Sequence, residues 1–122
     1  MLPRPYRLTR AADFARARSQ GRCWSNQALV LCKIANHLPH NRCGFAVSRR
    51  LGRAVVRNRI KRLLREAARA QWDLISPGWD IVLIARVGIA TMDYGAVSEA
   101  ITHLLRSAQL LSRGERPEEL EG

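Results

Sequence analysis

The sequence has no apolar run long enough to cross a membrane and no apolar stretch behind its first charged residues. Its longest apolar strings, such as residues 81–85, have the length of a β-strand. The first ten residues, MLPRPYRLTR, are basic and polar, so we expect neither a cleaved signal peptide nor a membrane anchor. A length of 122 residues excludes a multidomain enzyme. We therefore expect a soluble, cytoplasmic protein with one core.

Cysteine is scarce. Cys23, Cys32 and Cys43 are odd in number and form no CxxC pair, which argues against a disulfide framework and fits a reducing compartment. We interpret them as small buried apolar residues. Cys32, His37, His40 and Cys43 are close in sequence and could in principle bind zinc. Because both cysteines fall in predicted strands, where pairing fixes the side-chain direction, we do not expect a zinc site.

Acidic residues are few and dispersed. The chain has 10 acidic and 21 basic residues, a formal net charge of +11. Before the last eight residues the acids are Asp13, Glu66, Asp73, Asp80, Asp93 and Glu99. These form no obvious carboxylate pair of the kind that a magnesium-dependent nuclease needs, and no histidine lies in an acid–base motif. We therefore expect no catalytic side chain and no metal ion bound by the protein.

Hydrophobic periodicity predicts three helices and three strands. The helices are expected between Thr9 and Ser19, over residues 53–71, and after a cap at Thr91 or Asp93. Residues 27–35 and 42–48 should form a hairpin, and residues 79–87 should form a central strand buried on both faces. This order, α-β-β-α-β-α, predicts an α+β fold, a two-layer sandwich on a small central sheet. We expect one domain over residues 1–112 and an acidic, disordered tail over 113–122.

Positive charge is concentrated in residues 42–69, which hold ten basic residues against the single acid Glu66, a net charge of +9. At about 100° per residue, the apolar side chains of the predicted helix gather on one side and leave a cationic surface on the other. The candidate binding residues are Arg49 and Arg50 before the helix, and Arg53, Arg57, Asn58, Arg59, Lys61, Arg62, Arg65 and Arg69 at its start or along it.

The cationic surface lacks the acids that usually balance a basic helix. Arg57, Lys61, Arg65 and Arg69 are spaced by four residues and repel one another, so an anionic ligand would relieve the repulsion. A membrane surface is disfavoured because the apolar side carries no aromatic wedge and is needed for the core. The sequence therefore favours a nucleic-acid partner.

One stretch of this helix matches a known signature. Residues 52–66, GRAVVRNRIKRLLRE, with their Arg57-Asn58-Arg59 core, closely resemble the bacterial ribonuclease P protein component. The similarity extends to Asp13-Phe14, to the pattern RxGxxVSRR of residues 42–50, and to DIVLIAR of residues 80–86. It covers roughly residues 4–110.

This resemblance implies a function in tRNA 5′ maturation. Members of the family form the protein subunit of the endonuclease that removes the 5′ leader from precursor tRNA. The RNA subunit is the catalyst and requires Mg²⁺. The expected partners are therefore the catalytic RNA, which the basic helix would bind, and the leader, with no membrane and no obligate protein partner. The resemblance also implies a fold like that of a ribosomal protein domain, with a left-handed strand–helix–strand crossover.

The resemblance further implies that a cleft between the first helix and the sheet holds the single-stranded leader. Phe14 matches an aromatic position of this cleft, and Arg18 and Arg86 are the other candidates in it. The chain departs from the family pattern at two positions, because Arg18 and Cys32 stand where relatives often have an aromatic residue. Arginine can stack on a base, whereas cysteine cannot replace a ring.

Two other functions are compatible with a basic helix on this fold. The first alternative is a ribosome-associated or general module for structured RNA that has no role in cleavage. The second is a nuclease that works without RNA, which the dispersed carboxylates disfavour.

Overall fold

The computed structural model describes residues 6–111. Its helices are α1 (Ala11–Gln20), α2 (Ala54–Gln71) and α3 (Tyr94–Ser107), and its strands are β1 (Arg22–Ser25), β2 (Leu29–Ala35), β3 (Arg42–Ala46) and β4 (Trp79–Ala85). Short 3-10 turns cover Arg49–Leu51, Trp72–Leu74 and Val87–Thr91. The α+β class and the predicted elements are confirmed, with β1 in addition. The predicted tail, residues 113–122, lies outside the described residues.

The four strands form one sheet in the order β1-β2-β4-β3. Strand β2 is antiparallel to β1 and β4, and β3 is parallel to β4. The predicted hairpin between residues 27–35 and 42–48 is therefore wrong, because β4 lies between those two strands. The physical reason is that the nearly continuous apolar strand β4 is stabilised by a central position, where both faces are covered.

The sheet separates two hydrophobic clusters. Helices α2 and α3 cover one face, where Leu29, Leu31 and Leu83 are almost completely buried. Helix α1 packs on the other face, where Ala17 and Val82 are 0% exposed. The prediction that β4 is central and buried on both faces is confirmed, because Leu83 and Val82 are neighbours in sequence and belong to opposite clusters.

Local signals explain where α2 and α3 begin. The Asp93 side chain accepts a hydrogen bond from the Ala96 N–H at 2.9 Å, so Asp93 caps α3. Gly52 has φ +139°, a conformation that favours glycine, and it joins the 3-10 turn Arg49–Leu51 to α2. The parallel strands β3 and β4 are thus linked through α2 in a crossover, whose left-handedness stays a prediction from the resemblance.

Two of the three cysteines are paired. Cys23 and Cys32 lie opposite each other in the β1–β2 pair and form a disulfide, with their Cα atoms 4.1 Å apart. The expectation of three unpaired cysteines is therefore wrong. The pairing depends on β1, a short strand with three exposed residues of four, which the hydrophobic pattern does not indicate. Cys43 is a free, buried thiol, as predicted.

Candidate nucleic-acid interface

Helix α2 presents its cations on three different sides. Ile60 and Leu64 on the inner side are 0% exposed and anchor the helix on the core. The candidate residues that are exposed to solvent are Arg53, Asn58, Arg62 and Arg69, and the partly buried ones are Arg57, Arg59, Lys61 and Arg65. At about 100° per residue, Asn58, Arg62 and Arg69 point away from the sheet. The outer side of α2 is therefore a continuous surface for an anion.

The partly buried cations flank this outer side. The Arg57 Nε donates a hydrogen bond to the Gly52 carbonyl at 3.2 Å, which ties the side chain to the turn before the helix. The Lys61 and Arg65 side chains have no ion-pair or hydrogen-bond partner within residues 6–111. The repulsion expected along this helix is thus left uncompensated at these two positions.

Arg59 lies on the opposite flank and has a structural contact. Its guanidinium donates to the Ala90 and Met92 carbonyls at 3.2 and 3.4 Å, and its Nη1 is buried. The expectation that Arg59 faces outward like Arg57 is therefore only partly correct. Arg59 fastens α2 to the turn before α3, which sequence periodicity cannot show because those carbonyls lie more than thirty residues away.

The two arginines before α2 extend the cationic surface. Arg49 and Arg50 are exposed in the 3-10 turn Arg49–Leu51. Ser48 caps this turn, and its hydroxyl accepts a hydrogen bond from the Arg50 N–H at 3.3 Å. Arg86, at the end of β4, shares a pocket with Ser48 and Arg50 and donates to the Asn26 carbonyl at 2.9 Å. Arg86, which the resemblance assigned to the leader cleft, thus lines a pocket together with Arg50, and its role in the leader cleft stays a prediction.

On the other side of the sheet, α1 forms one wall of an apolar surface. Phe14, Val30 and Ile84 are all partly buried and pack against the buried cluster that includes Ala17 and Val82. Gly44 in β3 makes room for the Phe14 ring, because a β-carbon there would lie 2.5 Å from the Phe14 Cζ. Arg18 is exposed on α1. Phe14 and Arg18 therefore lie on the element predicted to border the leader cleft.

Cations border this apolar surface at Asp80. Asp80 is 0% exposed, and its carboxylate accepts from Arg42 at 2.9 and 2.7 Å, from Asn36 at 3.0 Å and from Arg16 at 3.2 Å. Burial would raise the pKa of Asp80, but the hydrogen bonds from Arg42 and Asn36 and the positive charges outweigh it, so the pKa lies below its ordinary value. The Arg16 and Arg42 side chains remain 37% and 27% exposed.

This network around Asp80 was not predicted from the sequence. Asp80 was one of six dispersed acids, and Arg16 and Arg42 were not candidates. The position of Asp80, second in the mostly buried strand β4, could have indicated it, because a buried charged residue requires a partner. The partners themselves come from α1 and β3, which only the fold brings together.

The described residues offer no evident metal site. No group of three or more His, Cys, Asp or Glu side chains in residues 6–111 converges. Of the four zinc candidates, Cys32 lies in the α1-side cluster and is bonded to Cys23, while Cys43 lies in the opposite cluster. None of the helices in this part of the chain combines the length and apolar character that crossing a membrane requires.

An α+β fold with an uncompensated cationic helix on one face of the sheet and a partly open apolar surface on the other is typical of a nucleic-acid-binding protein. The Ribonuclease P family profile matches residues 2–109. The chain belongs to the ribonuclease P protein family, whose members act with an RNA subunit in the 5′ processing of precursor tRNA.

Similar proteins support this assignment. The ribonuclease P protein component of Herpetosiphon aurantiacus is 42% identical over 116 residues, covering 95% of this chain and 94% of that one. The corresponding protein of Roseiflexus castenholzii is 42% identical over 108 residues, covering 88% of each chain. The Staphylococcus aureus RNase P protein structure matches with a TM-score of 0.81 and 33% identity, covering 88% of this chain and 98% of that chain.

Proposed function

We propose that this protein assists an RNA-catalysed cleavage by binding two RNA segments, one on each side of its sheet. The outer side of α2 docks on the catalytic RNA, and the surface between α1 and the sheet holds the 5′ leader of precursor tRNA. The observation that carries the proposal is that the uncompensated cations of α2 and the partly open apolar surface at Phe14 belong to opposite faces.

The α2 cations act on the RNA phosphates. Arg53, Arg62 and Arg69 are exposed and free to contact a folded RNA backbone, and each contact releases condensed counterions. Asn58 lies among them on the same side and can bond to a base edge or a phosphate. Neutralising crowded phosphates in this way steadies the RNA fold and lowers the magnesium concentration that the RNA requires.

The α1 side suits a single strand. The Phe14 ring gives one stacking face, Arg18 can stack or bind a phosphate, and the guanidiniums of Arg16 and Arg42 border the surface. Cys32 is 1% exposed and disulfide-bonded, so it offers no contact to a base. We infer that this protein holds the leader with one ring, that of Phe14, and with guanidinium groups in place of further rings.

The protein supplies no reacting group in this proposal. The buried carboxylate of Asp80 is occupied by hydrogen bonds from Arg16, Asn36 and Arg42, and no other acid in residues 6–111 joins a metal-binding cluster. The magnesium ions that activate water would be held by the RNA. The protein's part is to position both RNA segments, in the cytoplasm and without an obligate protein partner.

The test is multiple-turnover cleavage of a 5′-extended precursor tRNA by a bacterial ribonuclease P RNA at low magnesium and fixed salt. We expect strong stimulation by this protein and a loss of most of it in the double variant Arg62→Ala, Arg69→Ala. The matched control is Arg106→Ala, which removes an exposed positive charge from α3 and should leave stimulation unchanged.

Two outcomes would contradict the proposal. Tight RNA binding without stimulation would favour a general RNA-binding module. Cleavage by the protein after removal of all RNA would favour a nuclease that acts alone.

A further inference from the structure

A cavity of about 180 Å³ lies at the outer edge of β3, between α2 and the segment that precedes α1. The segment is fixed to the strand, because Leu8 N–H donates to the Cys43 carbonyl at 2.9 Å and Arg7 pairs with Cys43 in a parallel bridge. Lys61 and Arg65, one helical turn apart on α2, form the opposite wall. The cavity is therefore built by three separate parts of the chain.

The floor of the cavity is apolar. Cys43 is 3% exposed, and burial raises the pKa of its thiol to about 12, so the group is uncharged at neutral pH. Phe45 is partly buried, packs against the main core and lines the cavity. A half-covered ring beside an uncharged thiol is a surface on which another flat ring can stack.

The rim of the cavity is cationic. Arg7, Lys61 and Arg65 line it, and none of the acidic residues between positions 6 and 111 does. The Lys61 and Arg65 side chains have no ion-pair or hydrogen-bond partner in the described part of the chain. Two partly buried cations without a counter-charge, held one turn apart, favour a phosphate between them.

We propose that this cavity binds one unstacked nucleotide, with its base against Phe45 and its phosphate between Lys61 and Arg65. The inference deepens the proposed function, on which it depends, by giving α2 a base-accepting pocket in addition to phosphate contacts. Phe45 alternates with Gly44 along β3, so this pocket faces the side opposite to Phe14. The Phe45 ring is thus on the other face of the sheet from the surface proposed for the leader, while Leu8, which also lines the cavity, belongs to the α1-side cluster.

The first experiment uses free nucleotides and the intact protein. Titrations with 5′-AMP, ribose 5-phosphate and inorganic phosphate are followed by the amide NMR signals of residues 6–9 and 43–45. We expect 5′-AMP to shift these signals and to bind about tenfold more tightly than ribose 5-phosphate, which corresponds to about 1.4 kcal/mol from the base. Equal binding of the two, or shifts confined to the Phe14 side, would overturn the proposal.

Variants separate the base from the phosphate. Phe45→Leu should abolish the preference for 5′-AMP over ribose 5-phosphate, and Lys61→Ala with Arg65→Ala should weaken both ligands. Arg106→Ala is the control for net charge and should leave both affinities unchanged. If Phe45→Leu fails to fold, the comparison of 5′-AMP with ribose 5-phosphate on the parent protein still decides the outcome.

A second arm distinguishes a nucleotide of the RNA from a free nucleotide. Ribonuclease P RNA molecules with single abasic nucleotides are selected for binding to the parent protein and to Phe45→Leu. If the RNA supplies the base, one position should weaken binding to the parent several-fold and have no effect on Phe45→Leu. If no abasic position weakens binding in this way although 5′-AMP binds, the proposal that the RNA supplies the nucleotide is contradicted. If the protein does not stimulate cleavage but still binds 5′-AMP, the proposed function is contradicted and the nucleotide pocket is not.

Discussion

The ring of Phe14 lies over Gly44, so that a β-carbon at position 44 would stand 2.5 Å from the Phe14 Cζ and 3.0 Å from the Leu8 Cβ. Phe14 belongs to α1 and Gly44 to β3, so this contact fixes the distance between the helix and the sheet on the side proposed for the leader. The absence of a side chain at position 44 determines where the ring can lie.

Gly44→Ala should displace the Phe14 ring and weaken binding of leader-containing RNA more than binding of leaderless RNA. Because the new methyl group overpacks a covered position, we also expect a loss of about 1–3 kcal/mol in the free energy of unfolding. Affinity measurements with both RNAs and urea unfolding check the two effects. Gly95→Ala is the matched control, since the nearest atom to a β-carbon there is 3.6 Å away. Equal losses with both RNAs would count against the leader surface.

Arg59 and Arg62 should behave differently although both are arginines of α2. Arg62 is exposed, so Arg62→Ala should weaken RNA docking by about 1 kcal/mol and leave thermal stability unchanged. Arg59→Ala should also lower the free energy of unfolding by about 1–2 kcal/mol, because the Ala90 and Met92 carbonyls lose their donor. Thermal melts and RNA-binding titrations of both variants check this. Equal melting temperatures for the two variants would contradict the structural contact of Arg59.

Acid should destabilise the protein through Asp80. Because its pKa is lower in the folded state than the ordinary value of 3.8, Asp80 stabilises the fold above that value. This stabilisation is lost as the pH falls through the lowered pKa. Urea unfolding measures the free energy of unfolding at pH 7 and near pH 3. The decrease between the two pH values should therefore be larger for the parent than for Asp80→Asn. Asp73→Asn, at an exposed position, is the control and should keep the parent's pH dependence.

At neutral pH, Asp80→Asn should cost about 3 kcal/mol of unfolding free energy, because it leaves the guanidiniums of Arg16 and Arg42 without their counter-charge. Because both arginines are partly exposed, we expect a loss at the lower end of the range that is typical when a buried ion pair is broken. A variant as stable as the parent at pH 7 would show that water compensates both cations.

Thiol alkylation should report the disulfide. In the oxidised folded protein no thiol should react at pH 8, because Cys23 and Cys32 are bonded and burial raises the pKa of Cys43 to about 12. After reduction, the exposed Cys23 should react first. Closing this short loop should raise the free energy of unfolding by about 2–3 kcal/mol. Thermal melts with and without reductant measure this difference. Rapid alkylation of Cys43 before reduction would contradict its burial.

Several features of this protein can be predicted from sequence because their signals are local. Charge density and helical spacing identify α2, and the apolar run identifies β4 as central. The start of α3 is predicted at a cap of Thr91 or Asp93, of which the structure selects Asp93. The family signature around Asn58 predicts the function. Each depends on residues within one or two turns of one another, or on a contiguous motif, so the chain itself contains the information.

Other features were decided only by tertiary structure. The insertion of β4 between β2 and β3, the pairing of Cys23 with Cys32, and the carbonyls that hold Arg59 all depend on strand register or on contacts between distant segments. Hydrophobic periodicity gives the face that a residue occupies but not the neighbour across it. The neighbour depends on which strand is stabilised most by a central position with both faces covered. This is a property of the whole sheet and not of one strand.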